Sequence, residues 1–141
     1  MNYKEFNKAL DHCPFCDLPK KEIIEENDSA AVLLSRSPYV KDHLLVVPKK
    51  HVVNLSELDS GERDDLFRLV FFAQDKIEKI YGNFSTLYRE GKKVGKSIAH
   101  AHFNIVPKLV LGVIDEDLRD RYVYTDEEYA GKIDEFRKID C

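Results

Sequence analysis

The segment "SIAHAHFNIVPK", residues 97–108, places His100 and His102 two positions apart, in a chain that has five histidines. Because side chains on a strand alternate between faces, a strand here puts both imidazoles and Asn104 on one face. Two such imidazoles can bind one metal ion, or one can act as a nucleophile while its neighbours hold its ring. Neutral imidazole keeps a lone pair near pH 7, which suits attack on phosphorus. The pattern alone also allows two solvated histidines without a chemical role.

Cys13 and Cys16 form a C-x-x-C pair near the N-terminus. The chain has three cysteines, and the N-terminus shows no signal-peptide core, so a disulfide framework is not expected. The spacing is that of two zinc ligands, and a reduced thiol pair without metal is the alternative. The histidines available to complete a tetrahedral site are His12, His43, His51 and His100.

The turn "GKKVGKS", residues 91–97, lies directly before the histidine pair. Its backbone N–H groups, Lys96 and the Ser97 hydroxyl are groups that contact phosphate. The turn does not match the phosphate-binding loop G-x-x-x-x-G-K-[ST], and a hairpin turn with solvated lysines is the alternative.

The elements that must position these residues form an α+β pattern. Apolar runs predict strands within residues 22–27, 29–35, 43–51, 83–90 and 98–106. The clearest helix lies within residues 56–82, with Asp59 or Ser60 as its cap and Gly82 at its end. Its predicted buried stripe is Leu66, Leu69, Val70, Ala73, Ile77 and Ile80. A C-terminal helix, capped by Thr125 or Asp126, completes one domain over residues 1–141 with a mostly antiparallel sheet.

The composition is that of an ordinary globular domain, with 43% apolar and 34% charged residues. The formal net charge of -4 argues against a protein whose main partner is nucleic acid. No apolar run reaches the roughly 20 residues that a membrane span needs. We therefore expect a cytoplasmic protein without membrane association or stable nucleic-acid binding.

In order and in register, these segments resemble the histidine-triad (HIT) family over most of the chain. The signature His-φ-His-φ-His-φ-φ, in which φ is apolar, matches "HAHFNIV" except that Asn104 stands at the third histidine. "REGKKVGKSIAHAH" resembles the family's NxGxxxGQSVxHxH, and "SRSPYVKDHLLVVPKKH" resembles its DxxPxxxGHxLVxPKxH. The resemblance implies a HIT-like fold with a five-stranded sheet, one long helix and a C-terminal helix. It also implies a homodimer, which the apolar side chains of Phe67, Phe71 and Phe72 outside the main stripe fit.

What the family resemblance implies for function is a nucleotidyl hydrolase or transferase. Its substrate would be the α-phosphate of a nucleotide conjugate, such as a dinucleoside polyphosphate or a nucleoside phosphoramidate. His102, the middle histidine, would attack phosphorus and form a nucleotidyl-histidine intermediate. Ser97 would contact the leaving group or a phosphate oxygen, and His43 matches the family's additional active-site histidine. The phosphate-binding positions that the resemblance implies are Asn104, Lys96, Arg89 and Gly95.

An early C-x-x-C pair occurs in zinc-bearing members of the family. The resemblance assigns a structural zinc to Cys13, Cys16, His51 and His100. His100 would then be tied to zinc, and His102 would attack. A catalytic metal held by both His100 and His102 is the alternative.

The sequence departs from the family pattern at four positions. The Asn104 amide donates a hydrogen bond but cannot carry charge or shuttle a proton, although the related uridylyltransferases have a glutamine here. Lys96 and Arg89 replace a glutamine and an asparagine, which favours a more anionic substrate or reflects neutral change at a rim. Ser35 replaces an aspartate that grips ribose. These departures support a second hypothesis, a catalytically decayed nucleotide-binding or protein-interaction module on the same dimeric fold.

Overall fold

The structure is a computed structural model that describes residues 13–36, 38–90, 100–108 and 123–137. The chain divides into two compact units, Met1–Leu109 and Val110–Cys141. The prediction of a single domain over residues 1–141 stays a prediction.

The first unit contains a five-stranded sheet in which every neighbouring pair is antiparallel. Its strands, in the order β1-β2-β3-β5-β4, are β1 (Ile23–Glu26), β2 (Ala30–Leu34), β3 (Leu44–Pro48), β4 (Phe84–Tyr88) and β5 (Phe103–Pro107). The predicted α+β class and the antiparallel sheet are therefore confirmed.

The central strands β2 and β3 are buried on both faces except at Leu34, the exposed last residue of β2. This burial explains their nearly continuous apolar sequence. On one face, Val32 and Val46 belong to the main core. On the other face, Leu33 and Leu45 pack with Phe15, which lies between the two cysteines. Phe15 and its neighbours Cys13 and Leu18 thus pack on the sheet face opposite the main core.

The long helix α1 (Ser60–Tyr81) covers the main-core face. Asp59 caps it through a reciprocal pair of hydrogen bonds with Glu62, and Gly82 ends it in the left-handed region at φ 80°. The buried side chains are Leu66, Leu69, Val70, Ala73 and Ile77. A fully buried Leu or Ile contributes roughly 1.5–3 kcal/mol, so this stripe fixes the helix on the sheet.

Two sequence predictions in this unit need correction. Ile80 is 70% exposed because it lies in the last turn of α1, beyond the buried stripe. Strand β5 begins at Phe103 and not at residue 98, so His100 and His102 precede it. The reason is that the Ala101 N–H donates to the Val52 carbonyl at 2.7 Å, outside the strand ladder.

The predicted alternation of side chains is nevertheless present. Ala101, Phe103 and Ile105 belong to the core beneath α1. The rings of His100 and His102 contact Phe15, which packs on the opposite face of the sheet.

In the second unit, the C-terminal helix α2 (Asp126–Arg137) is capped by Thr125. The Glu128 N–H donates to the Thr125 hydroxyl, and the Thr125 N–H donates to the Glu128 carboxylate. Within the described parts of the chain, no helix is long and apolar enough to cross a membrane.

Candidate active site and metal centre

Four predicted metal ligands from three chain segments meet in one cluster. Cys13 and Cys16 lie in the N-terminal turn, His51 follows β3, and His100 precedes β5. Their ligand atoms all lie within 4.8 Å of one another. The Cys16 Sγ is 3.0 Å from the Nδ1 of His51, and the Nδ1 atoms of His51 and His100 are 3.1 Å apart. The Cys13 Sγ lies 3.4 Å from the same Nδ1 of His100.

These distances fit the edges of a small tetrahedron. A zinc ion with bonds of about 2.3 Å to sulfur and 2.0–2.1 Å to nitrogen holds its ligand atoms roughly 3.3–3.8 Å apart. The Nε2–H of His100 donates to the Pro48 carbonyl at 2.7 Å, which leaves the lone pair on Nδ1, the atom that faces the thiols. Two sulfur and two nitrogen donors are typical of a structural zinc site. The residues therefore fit such an ion.

Protonation opposes metal binding at the thiols. Desolvation, followed by the hydrogen bond and charge of Cys13, raises the pKa of the Cys16 thiol. A divalent cation binds the thiolate, so its binding releases protons and weakens as the pH falls.

The tautomer of His102 follows from one hydrogen bond. Its Nδ1 lies 2.8 Å from the His100 carbonyl oxygen. Because a carbonyl oxygen only accepts, Nδ1 carries the proton and the lone pair of the neutral ring is on Nε2. The half-buried ring also packs against Phe15, with centroids 5.5 Å apart. His100, which belongs to the cluster of metal ligands, thus also orients the His102 ring through its backbone carbonyl.

A second chain of hydrogen bonds fixes His43 and Asn104. The Tyr39 N–H donates to Nδ1 of His43 at 3.2 Å, so the His43 proton is on Nε2 and is donated to the Asn104 Oδ1 at 2.9 Å. The Asn104 Nδ2 donates in turn to the Leu87 carbonyl at 3.3 Å. His43 and Asn104 are 2% and 6% exposed, so these bonds are shielded from water.

The same environment keeps His43 neutral. Burial lowers its pKa below the usual value, and nearby His102 lowers it further, while the hydrogen bond to Asn104 opposes the shift. A neutral His43 with both nitrogens bonded within the protein acts as a support for Asn104.

Burial of neutral His43 makes the stability of the fold depend on pH. Since its folded pKa lies below the unfolded value of about 6.5, the unfolded chain binds the proton first as the pH falls. We expect the stabilisation to be complete above about pH 6.5 and to be lost below it, by at most about 1.4 kcal/mol per pH unit.

Urea unfolding of the wild type and of His43→Gln, at several pH values from about 5 to 7.5, measures this contribution. The free energy of unfolding should fall more steeply with decreasing pH in the wild type than in the variant. Parallel curves for the two proteins would contradict a neutral, buried His43.

The predicted phosphate contacts are only partly placed. Arg89 is exposed, and its Nη1 donates to the Tyr39 hydroxyl at 3.3 Å. The Tyr39 ring lies against the His43 ring with centroids 4.8 Å apart, so Arg89 is connected to the His43 side of the site. The other predicted contacts, Gly95, Lys96 and Ser97, lie outside the described residues.

Sequence reasoning missed three participants in this site, which are Phe15, Tyr39 and the Leu87 carbonyl. An aromatic residue inside a C-x-x-C pair was an available signal for Phe15. Tyr39 lies four residues before His43 in a loop, and only the folded loop shows that its N–H bonds the ring.

Comparisons with known proteins agree with this fold. The family model of the HIT domain matches residues 18–109. The adenosine 5′-monophosphoramidase hnt1 of Schizosaccharomyces pombe is 31% identical over 102 residues, which cover 68% of this chain and 74% of that protein. "Protein hit" of Bacillus subtilis is also 31% identical, over 71% of this chain and 73% of its own.

Solved structures show the same architecture. A HIT family member from Bacillus subtilis superposes with a TM-score of 0.72 at 23% identity, over 93% of this chain and 99% of that one. The diadenosine triphosphate hydrolase of Plasmodium falciparum, solved with cyclomarin A, has a TM-score of 0.61 at 22% identity. That match covers 67% of this chain and 65% of the hydrolase.

Proposed function

Because the chain belongs to the HIT domain family, we propose that it is an enzyme that hydrolyses or transfers a nucleoside monophosphate group. Its substrate is a nucleotide conjugate, such as a dinucleoside polyphosphate or a nucleoside phosphoramidate. The observation that carries this proposal is the His102 tautomer, which holds the nucleophilic lone pair on Nε2. The name of one relative, an adenosine 5′-monophosphoramidase, and that of a protein with the same fold, a diadenosine triphosphate hydrolase, support the substrate class.

The reaction proceeds by two displacements at the α-phosphorus. In the first, Nε2 of His102 forms a bond to phosphorus, and the bond from phosphorus to the leaving group breaks. The Nδ1–H of His102 remains hydrogen-bonded to the His100 carbonyl, and this bond stabilises the positive charge on the ring. In the second, the oxygen of a water molecule attacks phosphorus and the P–N bond breaks, with its electron pair returning to Nε2. A nucleoside monophosphate leaves, one proton of the water passes to solvent, and His102 is neutral again. A phosphorylated acceptor in place of water gives transfer.

Other residues bind and orient the substrate in this proposal. Ser97 contacts the leaving group or a phosphate oxygen. Gly95, Lys96 and Arg89 surround the phosphates with an N–H group and positive charge. Asn104 has a second Nδ2 hydrogen beyond the one donated to Leu87, and this hydrogen is the one that can reach a phosphate oxygen.

We also propose that Cys13, Cys16, His51 and His100 hold a structural zinc ion. Bound zinc would supply a cross-link between the N-terminal turn and the segment that carries His102. His100 serves both sites, since its ring faces the thiols and its carbonyl orients His102.

A homodimer is proposed through α1 and the edge strand β4. Phe71 is 61% exposed and Phe67 39% exposed, and their ring centroids lie 6.3 Å apart on the outside of α1. Phe72, by contrast, packs partly buried against the core. Two adjacent exposed aromatic rings on a helix that packs against the edge strand of a sheet are typical of an interface.

The substitution Phe71→Glu should weaken the dimer by roughly two orders of magnitude in Kd, because a charge would be desolvated there. Sedimentation velocity over a concentration series measures this change. Ile80→Glu is the matched control, since Ile80 is 70% exposed on the same helix but points away from the phenylalanine pair. Equal dissociation of both variants, or a monomeric wild type, would contradict the proposed interface.

A turnover assay separates the enzyme from the second hypothesis, the catalytically decayed binding module. Purified protein is mixed with a panel of dinucleoside polyphosphates and adenosine phosphoramidate, and the products are separated by chromatography. Release of a nucleoside monophosphate over many turnovers supports the enzyme. Stoichiometric nucleotide binding without product would support the module.

A cytoplasmic location and the lack of stable nucleic-acid binding remain predictions from the sequence.

A further inference from the structure

The hydrogen bonds of Asn104 bear on which bond this site can break. We infer that the site is specialised for nucleotide phosphoanhydrides, whose leaving group departs as a phosphate anion, and discriminates against phosphoramidates. The inference rests on the proposed function, because it assumes attack by His102. It depends on the amide of Asn104 and on which atoms hold the protons of the neighbouring imidazoles.

The amide itself cannot protonate a leaving group. Its Oδ1 accepts a hydrogen bond from the Nε2–H of His43, and its Nδ2 donates one to the Leu87 carbonyl. An amide N–H donates a hydrogen bond but does not release its proton near neutral pH. Asn104 therefore stabilises negative charge without acting as an acid.

The imidazoles around Asn104 hold their protons in bonds within the protein. The neutral His43 has one proton, which lies on Nε2 and points at Asn104. The Nε2–H of His100 points at the Pro48 carbonyl, and the Nδ1–H of His102 points at the His100 carbonyl. Among the residues that the structure describes, none of these three imidazoles directs a proton at the leaving group.

The two substrate classes differ in their need for that proton. When a phosphoanhydride bond breaks, the electron pair goes to a phosphate oxygen, and a phosphate group with a pKa of about 6 is stable as the anion. When a phosphoramidate P–N bond breaks, the electron pair goes to nitrogen, which must take up a proton to leave as an amine. Neither the Asn104 amide nor the imidazoles of His43, His100 and His102 supply this proton, so the step is slow with a phosphoramidate.

The positive charge of Arg89 also favours phosphoanhydride substrates. Arg89 is held beside Tyr39, whose ring packs on His43. An arginine side chain stays charged and can bind a departing phosphate through two parallel hydrogen bonds. It offers no comparable stabilisation to a neutral amine.

A leaving-group series tests the inference on the wild-type protein. The substrates are aryl esters of one nucleoside monophosphate, with phenols of increasing pKa, and kcat/KM is measured for each. We expect kcat/KM to fall about fivefold to tenfold for each unit of phenol pKa, as in a displacement without acid assistance. A dinucleoside polyphosphate should also exceed the matching phosphoramidate by at least about 100-fold in kcat/KM.

Three variants sharpen the test. Asn104→His, which introduces a group that can release a proton, should flatten the dependence and reduce the preference over phosphoramidate. Asn104→Gln, which keeps an amide, should retain the steep dependence of kcat/KM on the phenol pKa. Tyr39→Phe removes the phenol that packs on His43 and should also retain this dependence.

A flat dependence in the wild type, or equal cleavage of both substrate classes, would overturn the inference and leave the proposed function standing. Absence of turnover and of adduct with every ester would overturn the proposed function, and the inference with it. Because the wild-type dependence is decisive by itself, an unfolded variant does not obscure the result.

Discussion

Replacing His102 with alanine should lower kcat for nucleotide cleavage by about 10⁴-fold or more, close to the loss seen when other enzymes lose a nucleophile. The physical reason is that Nε2 of His102 forms the covalent bond to phosphorus, so the variant has to use direct attack by water. The Nδ1–H bond to the His100 carbonyl fixes this ring, and no second imidazole in the described residues presents an Nε2 lone pair in the same position. Steady-state assays with the best substrate of the panel measure the loss.

The matched control is His12→Ala, which removes a histidine that has no proposed role. This variant should keep the wild-type rate within about twofold. Both variants should keep the thermal unfolding midpoint of the wild type, because the His102 ring is only half-buried. If His102→Ala turned over several substrates as fast as the wild type, the proposed mechanism would be wrong.

Removing one ligand of the metal cluster should have the largest effect on stability. Cys16→Ser should lower the zinc content of the purified protein from about one ion per chain to less than about a tenth. The free energy of unfolding should fall by several kcal/mol, because zinc binding contributes directly to folding where the site exists only in the folded state. Elemental analysis and thermal unfolding measure the two quantities.

Cys141→Ser is the matched control, since Cys141 is the third cysteine of the sequence and is not one of the four proposed ligands. It should keep the metal and the stability of the wild type. Wild-type protein without zinc, prepared in the absence of chelators, would contradict the structural site. Loss of activity to a chelator with unchanged stability would instead favour a catalytic metal on His100 and His102.

Much of the fold could be predicted from the sequence because its determinants are local. Asp59 and Gly82 mark the ends of α1, and the apolar runs of β2 and β3 mark buried strands. The exception, Ile80, shows the limit of this reasoning, because it continues the helical spacing of the stripe but is 70% exposed in the last turn of the helix.

The start of β5 was predicted too early for a related reason. The alternation of "IAHAHFNIV" gives the correct faces but does not show where strand pairing begins. That boundary depends on the bond from Ala101 to Val52, a residue far away in the chain. A sequence pattern does not contain such a long-range contact.

The four residues of the cysteine and histidine cluster could be predicted from the sequence, whereas the positions of the imidazole protons could not. Family resemblance selected Cys13, Cys16, His51 and His100 from the available ligands, and the structure brings these four together. The tautomers of His43 and His102, by contrast, depend on backbone groups of Tyr39 and His100 and required the folded chain.

Covalent trapping tests the central claim most directly. The protein is mixed with a dinucleoside polyphosphate, quenched in base at a series of times to preserve P–N bonds, digested, and mapped by mass spectrometry. The predicted result is one nucleotidyl group on the peptide that carries His102, absent from His102→Ala. Steady turnover by the wild type with no label on that peptide at any time, or with the label on His43, would contradict nucleophilic attack by His102.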